Sequence, residues 1–270
     1  MKLIAYLDGG VPTIGLVESG RVFPIAPRDA FFDDVDRWLA GPQTREVGSP
    51  LDDVIQVPAV RSDCNVVCVG LNYRDHAHES GLDLPPSPSI FGRWVSTLSV
   101  DGAPVPVPAC EAGLDWEVEL AVIIGTQIDR SSGRAEPSDV LAYSVFNDIS
   151  ARGRQFDTSQ WTLGKNADLS GPLGPVLVTA DEFTGWPQLN LELRVNGQVR
   201  QTGNTGEMIH SIPDLIAYVT QTLTLRPGDM IATGTPSGVG FKCDPPILLH
   251  AGDVVEAEID SIGILRTPIV

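Results

Sequence analysis

The chain has 270 residues, an apolar content of 42% and a formal net charge of −17, which arises from 18 basic and 35 acidic side chains. This length fits one large domain with a small appendage, and the apolar content suffices for a sizeable core. The negative charge argues against nucleic acid or an anionic membrane surface as the main partner, although a local cation can still attract an anionic small molecule.

The first 60 residues are predicted to form a small N-terminal domain, and residues 61–270 a second, larger domain. In the N-terminal domain, short segments of strand character alternate with glycine-containing turns. Apolar residues at helical spacing follow these strands. The predicted strands and helix lie at residues 3–7, 13–17, 21–25 and 29–40.

The sequence predicts a cytoplasmic protein. The N-terminus lacks the longer apolar core of a signal peptide, and no apolar run approaches the roughly 18 residues of a transmembrane helix. The four cysteines include no C-x-x-C pair, which argues against a zinc cluster and fits a reducing compartment.

Three acidic residues alternate with apolar ones at the start of a strongly apolar segment. On a strand, Asp115, Glu117 and Glu119 would lie on one face. Their mutual repulsion would become attraction if a divalent cation lay between them. The same pattern is also typical of an edge strand with solvated acids, and this stretch alone allows both interpretations.

A short helix is predicted to begin near Arg74. His76 and Glu79 are three residues apart, so they would share one face of this helix. A carboxylate beside an imidazole can fix its tautomer and raise its basicity, which suits a general base. The alternative is a polar surface turn.

Residues 84–108 contain six prolines and are predicted to form a loop or mobile segment over the fold. Arg93 lies in the middle of this segment. One interpretation is a lid that carries a cation, and the other is a solvated connection.

The second half of the chain consists mainly of predicted strands. Asn196 and Gly197 mark a two-residue hairpin. A glycine-rich loop that contains Thr235 lacks the G-x-G-x-x-G spacing of nucleotide-binding folds, but its amides could hold a carboxylate. Strand dominance without a β–α–β rhythm predicts an α+β fold, with a mixed β-sheet roll or barrel-like sandwich.

Several short motifs follow one another along the chain. They are Gly70-Leu71-Asn72-Tyr73-Arg74-Asp75-His76, Asp115-Trp116-Glu117-Val118-Glu119-Leu120, Asn147-Asp148-Ile149-Ser150-Ala151-Arg152, Val195-Asn196-Gly197, Gly203-Asn204-Thr205 and Thr233-Gly234-Thr235-Pro236-Ser237-Gly238-Val239-Gly240. In this order they resemble the fumarylacetoacetate hydrolase family over residues 60–270. The resemblance implies a mixed β-sandwich roll, a homodimer and one Mg²⁺ or Mn²⁺ ion per site, with Ca²⁺ as a further hard cation.

The resemblance also implies roles for individual residues. The metal ligands would be Glu117, Glu119 and Asp148. The catalytic residues would be His76, Glu79 and Lys165. The residues that contact the substrate would be Arg152, Gln155 and Thr235, and we expect Arg93 and Tyr73 beside it as well.

The function implied is the hydrolysis of a C–C bond in an acylpyruvate or a related 2,4-dioxo acid through a metal-stabilised enolate. One alternative keeps the site and the anionic 2-oxo acid but predicts a decarboxylase, isomerase or hydratase-type lyase. Another is a 2-oxo-acid-binding protein without turnover. The chain departs from the family pattern at Arg93, Gly153 and the loop 165–168, which leaves the substrate and the reaction open.

Overall fold

A computed structural model describes residues 1–41, 48–80 and 83–270 of the chain. Within these ranges the chain forms sixteen strands and five short α-helices. In chain order the strands are β1 (Lys2–Asp8), β2 (Val11–Glu18), β3 (Arg21–Pro27), β4 (Ser49–Pro50), β5 (Gln56–Val57), β6 (Val66–Gly70), β7 (Ser89–Arg93), β8 (Leu98–Val100), β9 (Val118–Ile124), β10 (Val140–Asn147), β11 (Gly171–Thr179), β12 (Asn190–Val195), β13 (Gln198–Asn204), β14 (Met230–Ala232), β15 (Val254–Ile259) and β16 (Gly263–Pro268). The helices are α1 (Arg28–Asp33), α2 (Val35–Ala40), α3 (Arg74–Ser80), α4 (Arg152–Phe156) and α5 (Ile212–Val219).

Two sheets contain all of these strands. The larger sheet has the order β4-β3-β2-β1-β11-β10-β9-β14-β6-β7, with β5 beside β1 and β8 beside β11, and the smaller one has the order β13-β12-β15-β16. Most neighbours are antiparallel, but β14 pairs with β6, and β8 with β11, in parallel. The prediction of a strand-dominated α+β fold with mixed sheets is confirmed.

Strand β9 lies at the centre of the fold because both of its faces are covered. Leu120 and Val122 point into a core shared with the smaller sheet, and Ala121 and Ile123 point into a core shared with the N-terminal strands and helices. Burial on both faces explains the continuous apolar run in the sequence. By the two-residue periodicity of a strand, Glu119 lies on the same face as Ala121 and Ile123.

The N-terminal segment has the predicted three strands, which are followed by two short helices where one was predicted. Strand β1 pairs with β11, so the N-terminal strands extend the larger sheet. The division into domains at residue 60 stays a prediction.

The proline-rich segment 84–108 is more regular than the sequence suggested. Strand β7 pairs with β6, and β8 pairs with β11, so the prediction of a loop was wrong for the middle of this segment. The six prolines lie outside both strands, where they remove no hydrogen bond from the ladder.

The hairpin between β12 and β13 is confirmed. Asn196 and Gly197 have φ angles of 51° and 76°, the left-handed conformation that a two-residue turn of this kind requires. None of the helices in the described part of the chain has the length and apolar character needed to cross a bilayer.

Candidate metal centre and active site

Three carboxylates converge where β9 and β10 lie side by side. Glu117 immediately precedes β9, Glu119 lies within it, and Asp148 immediately follows β10. The pairing of these strands places Glu119 opposite Phe146, and the Asp148 amide donates to the Glu117 carbonyl at 2.9 Å. One oxygen from each carboxylate lies within 4.8 Å of the others, and all three residues are buried. We call these three residues the acidic centre.

Basic side chains partly neutralise the acidic centre. The Lys165 ammonium lies 2.7 Å from Glu117 and 2.6 Å from Asp148. Glu119 differs from the other two carboxylates, because it has no ion pair among the described residues. It accepts a hydrogen bond from the Gly234 amide at 2.9 Å.

This difference shifts the pKa values of the two glutamates in opposite directions. Burial opposes ionisation of Glu117, but the charges of Lys165 and Arg152 outweigh it and lower the pKa of Glu117 to about 2. Burial, and then the charges of Asp148 and Glu117, raise the pKa of Glu119 well above its ordinary value. Of these two glutamates, Glu119 is therefore the one whose ionised form an additional cation would stabilise more.

A count of charges leads to the same conclusion. Four buried carboxylates face three buried cations in this cluster, so one negative charge is in excess. The carboxylates are Asp115, Glu117, Glu119 and Asp148, and the cations are Arg93, Arg152 and Lys165. A divalent cation would convert the excess to one positive charge, which favours an anionic ligand.

The donor atoms fit a hard metal ion. The acidic centre offers only carboxylate oxygens, which Mg²⁺, Mn²⁺ and Ca²⁺ prefer, whereas zinc prefers nitrogen and sulfur. The residues present therefore fit a divalent metal, and Glu117, Glu119 and Asp148 are the residues that could hold it.

Two arginines hold the acidic centre in place. Arg93 donates to Asp148 at 2.6 Å, to Ser170 at 2.9 Å and to the Ile149 carbonyl at 2.7 Å. Arg152 donates to Glu117 at 2.6 Å. Both guanidinium groups are buried, so their hydrogen bonds restrict the ligands to one geometry.

Asp115 supports the second arginine. Its carboxylate accepts from Arg152 at 2.8 Å and from the amides of Gly240 and Phe241 at 2.7 and 3.1 Å. Arg152 also donates to Gln155 at 2.8 Å. Asp115 therefore connects the acidic run to the loop after β14, and it lies outside the group of three that could bind a metal.

The predicted His–Glu pair forms on α3. The His76 Nδ1 lies 2.9 Å from Glu79 Oε2, and the other carboxylate oxygen of Glu79 accepts from the Gly238 amide at 3.0 Å. Asp75 accepts from the amide and hydroxyl of Ser237, at 3.2 and 2.7 Å. The two carboxylates thus connect α3 to the glycine-rich loop, and Glu79 also orients the imidazole.

A cavity of about 380 Å³ reaches the histidine and two residues of the acidic centre, Glu117 and Glu119, whereas Asp148 and Glu79 are not in its wall. The predicted site residues that line it are His76, Glu117, Glu119, Arg152, Gln155, Lys165 and Thr235. Thr235 donates its hydroxyl to the Val118 carbonyl and accepts from Gln201, both at 2.8–2.9 Å.

Arg93 and Tyr73 are not part of the cavity wall. Arg93 lies behind Asp148 within the contacts given above, and Tyr73 is fully buried in the core between the two sheets. Their predicted contact with a substrate finds no support in these positions. Arg93 contacts Asp148 at 2.6 Å, and a substrate contact for either residue stays a prediction.

The sequence interpretation missed several residues of the cavity. Phe156, Trp161, Phe241 and Lys242 form much of its outer wall. Phe241 and Lys242 directly follow the glycine-rich loop but lie outside its motif. A signal for Lys242 was available, because the entire sequence contains only three lysines.

The protein combines a fold of two β-sheets with a buried group of three carboxylates that could bind a metal. The model of the fumarylacetoacetate hydrolase C-terminal domain matches residues 65–270. The chain therefore belongs to the fumarylacetoacetate hydrolase family, and we treat it as an enzyme of that family.

Individual relatives differ in their activities. The chain is 42% identical over 215 residues to the human mitochondrial oxaloacetate tautomerase FAHD2A. The aligned region covers 79% of this chain and 68% of that protein. The fumarylacetoacetate hydrolase of Exiguobacterium antarcticum is 33% identical, with a TM-score of 0.83 over 100% of this chain and 99% of that one. The 5-carboxymethyl-2-hydroxymuconate delta-isomerase of Mycobacterium smegmatis is 29% identical, with a TM-score of 0.79 over 100% and 99% of the two chains.

Proposed function

We propose that the chain transfers a proton at the carbon next to the 2-oxo group of a small anionic acid, and so interconverts keto and enol forms. The observation that carries this proposal is the His76 imidazole, which Glu79 orients at 2.9 Å on the wall of the cavity that reaches the acidic centre. The names of two relatives, a tautomerase and an isomerase, support this reaction type.

The substrate would bind by its charged end. Glu117, Glu119 and Asp148 would hold Mg²⁺ or Mn²⁺, which when bound would supply positive charge to the 2-oxo group and make the neighbouring carbon more acidic. The Lys165 ammonium and the Arg152 guanidinium lie on the cavity wall and would attract the carboxylate of the acid.

His76 would carry the proton. When Nδ1 donates to Glu79, the other ring nitrogen has a free lone pair and can accept a proton from carbon. Glu79 then stabilises the imidazolium that results, and the same nitrogen can return the proton to oxygen or to another carbon. The ammonium of Lys165 would stabilise the negative charge that develops on the oxygen.

Hydrogen exchange in D₂O provides the test. Loss of the C3 proton signal of oxaloacetate or 2-oxobutanoate is followed by NMR with Mg²⁺, with and without the protein. We expect the wild-type protein to accelerate exchange beyond the metal-only control, and the His76→Gln variant to approach that control. Exchange equal to the metal-only control for every 2-oxo acid would contradict the proposal.

A second candidate is the hydrolysis of an acylpyruvate. The oriented His76 favours it, because the same base could activate a water molecule for attack on the second carbonyl group. Mass spectrometry of the products separates the two reactions, since pyruvate and a free acid would appear only on hydrolysis. Pyruvate from oxaloacetate above the metal-only control would indicate a decarboxylase.

Binding of oxalate without turnover of any 2-oxo acid would indicate a binding protein that has lost its activity. A homodimer and a cytoplasmic location rest on the sequence resemblance and composition. Both stay predictions, and gel filtration and cell fractionation test them. The relative named above is mitochondrial, so the location deserves its own experiment.

A further inference from the structure

The loop that carries Lys165 is bound to the strand that carries Arg93. Asn166 directly follows Lys165 and is 8% exposed, and its carboxamide binds the main chain on both sides of Arg93. The Oδ1 atom accepts from the Trp94 amide at 2.6 Å, and the Nδ2 atom donates to the Gly92 carbonyl at 3.3 Å. Strand β7 is the last strand of the larger sheet, so this side chain pairs with its edge as a neighbouring strand would.

A second contact joins the same two segments in the opposite direction. The Arg93 guanidinium donates to the Ser170 hydroxyl at 2.9 Å, and this hydroxyl donates to the Ala167 carbonyl at 2.7 Å. The side chain of Asn166 therefore holds the main chain around Arg93, while the side chain of Arg93 holds the loop that contains Asn166. All three residues are buried. We call Arg93, Asn166 and Ser170 the clasp.

We propose that Asn166 is a positioning residue, whose carboxamide places the cationic groups of Arg93 and Lys165 around the Asp148 carboxylate. Arg93 donates to one oxygen of Asp148 and Lys165 to the other, both at 2.6 Å. The position of one cation relative to the other therefore determines how this carboxylate is oriented. The proposal rests on the proposed function, in which Asp148 would hold the metal and Lys165 would stabilise the negative charge on oxygen.

A carboxamide suits this position because it carries an acceptor and a donor side by side. The second hydrogen of Nδ2 donates to the Thr162 carbonyl at 2.8 Å, so the same group also closes its own loop. An apolar side chain would leave the Trp94 amide without this acceptor, and a carboxylate would face the carbonyl oxygens of Gly92 and Thr162. Arg93 and the loop 165–168 are separate departures from the family pattern in the sequence, and these contacts join them into one unit.

A double-mutant cycle tests whether the clasp acts as a unit. The affinity for Mn²⁺ is measured by calorimetry for the wild type, Asn166→Leu, Arg93→Lys and the double variant. We expect each single substitution to weaken binding by about 10-fold, as for other residues that orient a metal ligand. The double variant should bind about as weakly as either single variant, because both substitutions open the same clasp. An unchanged affinity of Asn166→Leu, or a loss in the double variant equal to the product of the single losses, would overturn the proposal.

A control variant separates positioning from general destabilisation. Asn196→Ala removes a carboxamide from the hairpin of the smaller sheet, where it donates to Asp253 at 2.8 Å and accepts from the Val254 amide at 2.9 Å. This substitution should lower stability against urea and leave the affinity for Mn²⁺ unchanged. Equal losses of Mn²⁺ affinity in Asn166→Leu and Asn196→Ala would contradict a positioning role for Asn166.

The effect on Lys165 has its own measurement. C3 exchange is followed with Mn²⁺ at saturation, so that weaker metal binding does not limit the rate. We expect Asn166→Leu to remain slower than the wild type by about 10-fold or more, because the ammonium of Lys165 is displaced from its place. A rate equal to that of the wild type would overturn the claim that Asn166 positions Lys165.

Failure of this proposal and failure of the proposed function give different results. The same cycle is measured by urea unfolding in EDTA, which requires neither metal nor turnover. Coupled losses of stability in this cycle without C3 exchange would leave the clasp in place and show that the proposed reaction is wrong. C3 exchange by the wild type together with independent effects of Asn166→Leu and Arg93→Lys would show that only the clasp is wrong.

Discussion

The acidic centre and the outer rim of the same cavity, as we call Phe156, Phe241 and Lys242, depend on different physical interactions. In the acidic centre the side chains are buried, and hydrogen bonds of 2.6–2.9 Å join them to cations or amides. At the rim, Lys242 and the phenylalanines are exposed. We therefore expect substitutions in the centre to change metal affinity and stability, and substitutions in the rim to change neither.

His76 lines the same cavity and should affect the reaction rate alone. Its side chain is 13% exposed, and it is outside the group of possible metal ligands. We expect His76→Gln to lower the rate of C3 exchange by about 10²–10⁴-fold, the usual contribution of a general base. Metal affinity, measured by calorimetry, should stay near the wild-type value. A large loss of metal affinity would mean that His76 belongs to the centre.

Lys165→Met should have the largest effect on stability. The substitution leaves Glu117 and Asp148 without their shared ammonium, which lies 2.6–2.7 Å from each. Loss of one partner of a buried ion pair costs about 3–5 kcal/mol of the free energy of unfolding. Urea unfolding in EDTA measures this change, and Lys242→Met is the matched control. Equal stability of the two variants would break the distinction between centre and rim.

Arg93→Lys should produce a smaller change, confined to the centre. Lysine keeps the charge but cannot reproduce the planar guanidinium that donates to Asp148, Ser170 and the Ile149 carbonyl. We expect metal affinity to fall by about 10-fold, as for other residues that orient a ligand. An unchanged metal affinity would show that Asp148 does not depend on Arg93 for its position.

The pH dependence of stability in EDTA should give the smallest effect. The unfolded Glu119 carboxyl ionises near pH 4.5, and burial and the neighbouring acids raise the pKa of the folded one. Between pH 4.5 and the pKa of the folded Glu119 carboxyl, the folded state binds more protons than the unfolded state. The free energy of unfolding therefore falls as the pH rises through this range. The Glu119→Gln variant should lack this component. Parallel unfolding profiles of the two proteins, measured with urea, would contradict it.

Much of the centre could be predicted because its pattern is local. The alternation of Glu117 and Glu119 on one strand places both on one face, and the spacing of His76 and Glu79 on a helix does the same for the dyad. The position of Asp148 after a buried strand was also recognisable, although only the pairing of β9 with β10 brings it to the other two.

The remaining features depend on tertiary contacts. The buried position of Arg93 results from β7 pairing with β6, which the surrounding prolines concealed. Asp115 follows the same alternation as the glutamates, but Arg152 and the amides after β14 bind its carboxylate. The position of Lys242 on the cavity follows from the loop after β14, for which the sequence contains no periodic pattern.

The claim that Glu117, Glu119 and Asp148 bind a divalent metal has the most direct test. Mn²⁺ is titrated calorimetrically into protein stripped with a chelator, for the wild type and for Glu119→Gln, which keeps an acceptor for the Gly234 amide. We expect one ion per chain in the wild type and at least about 100-fold weaker binding in the variant, because a charged ligand is lost. One ion bound with equal affinity in both proteins would contradict the assignment of this centre.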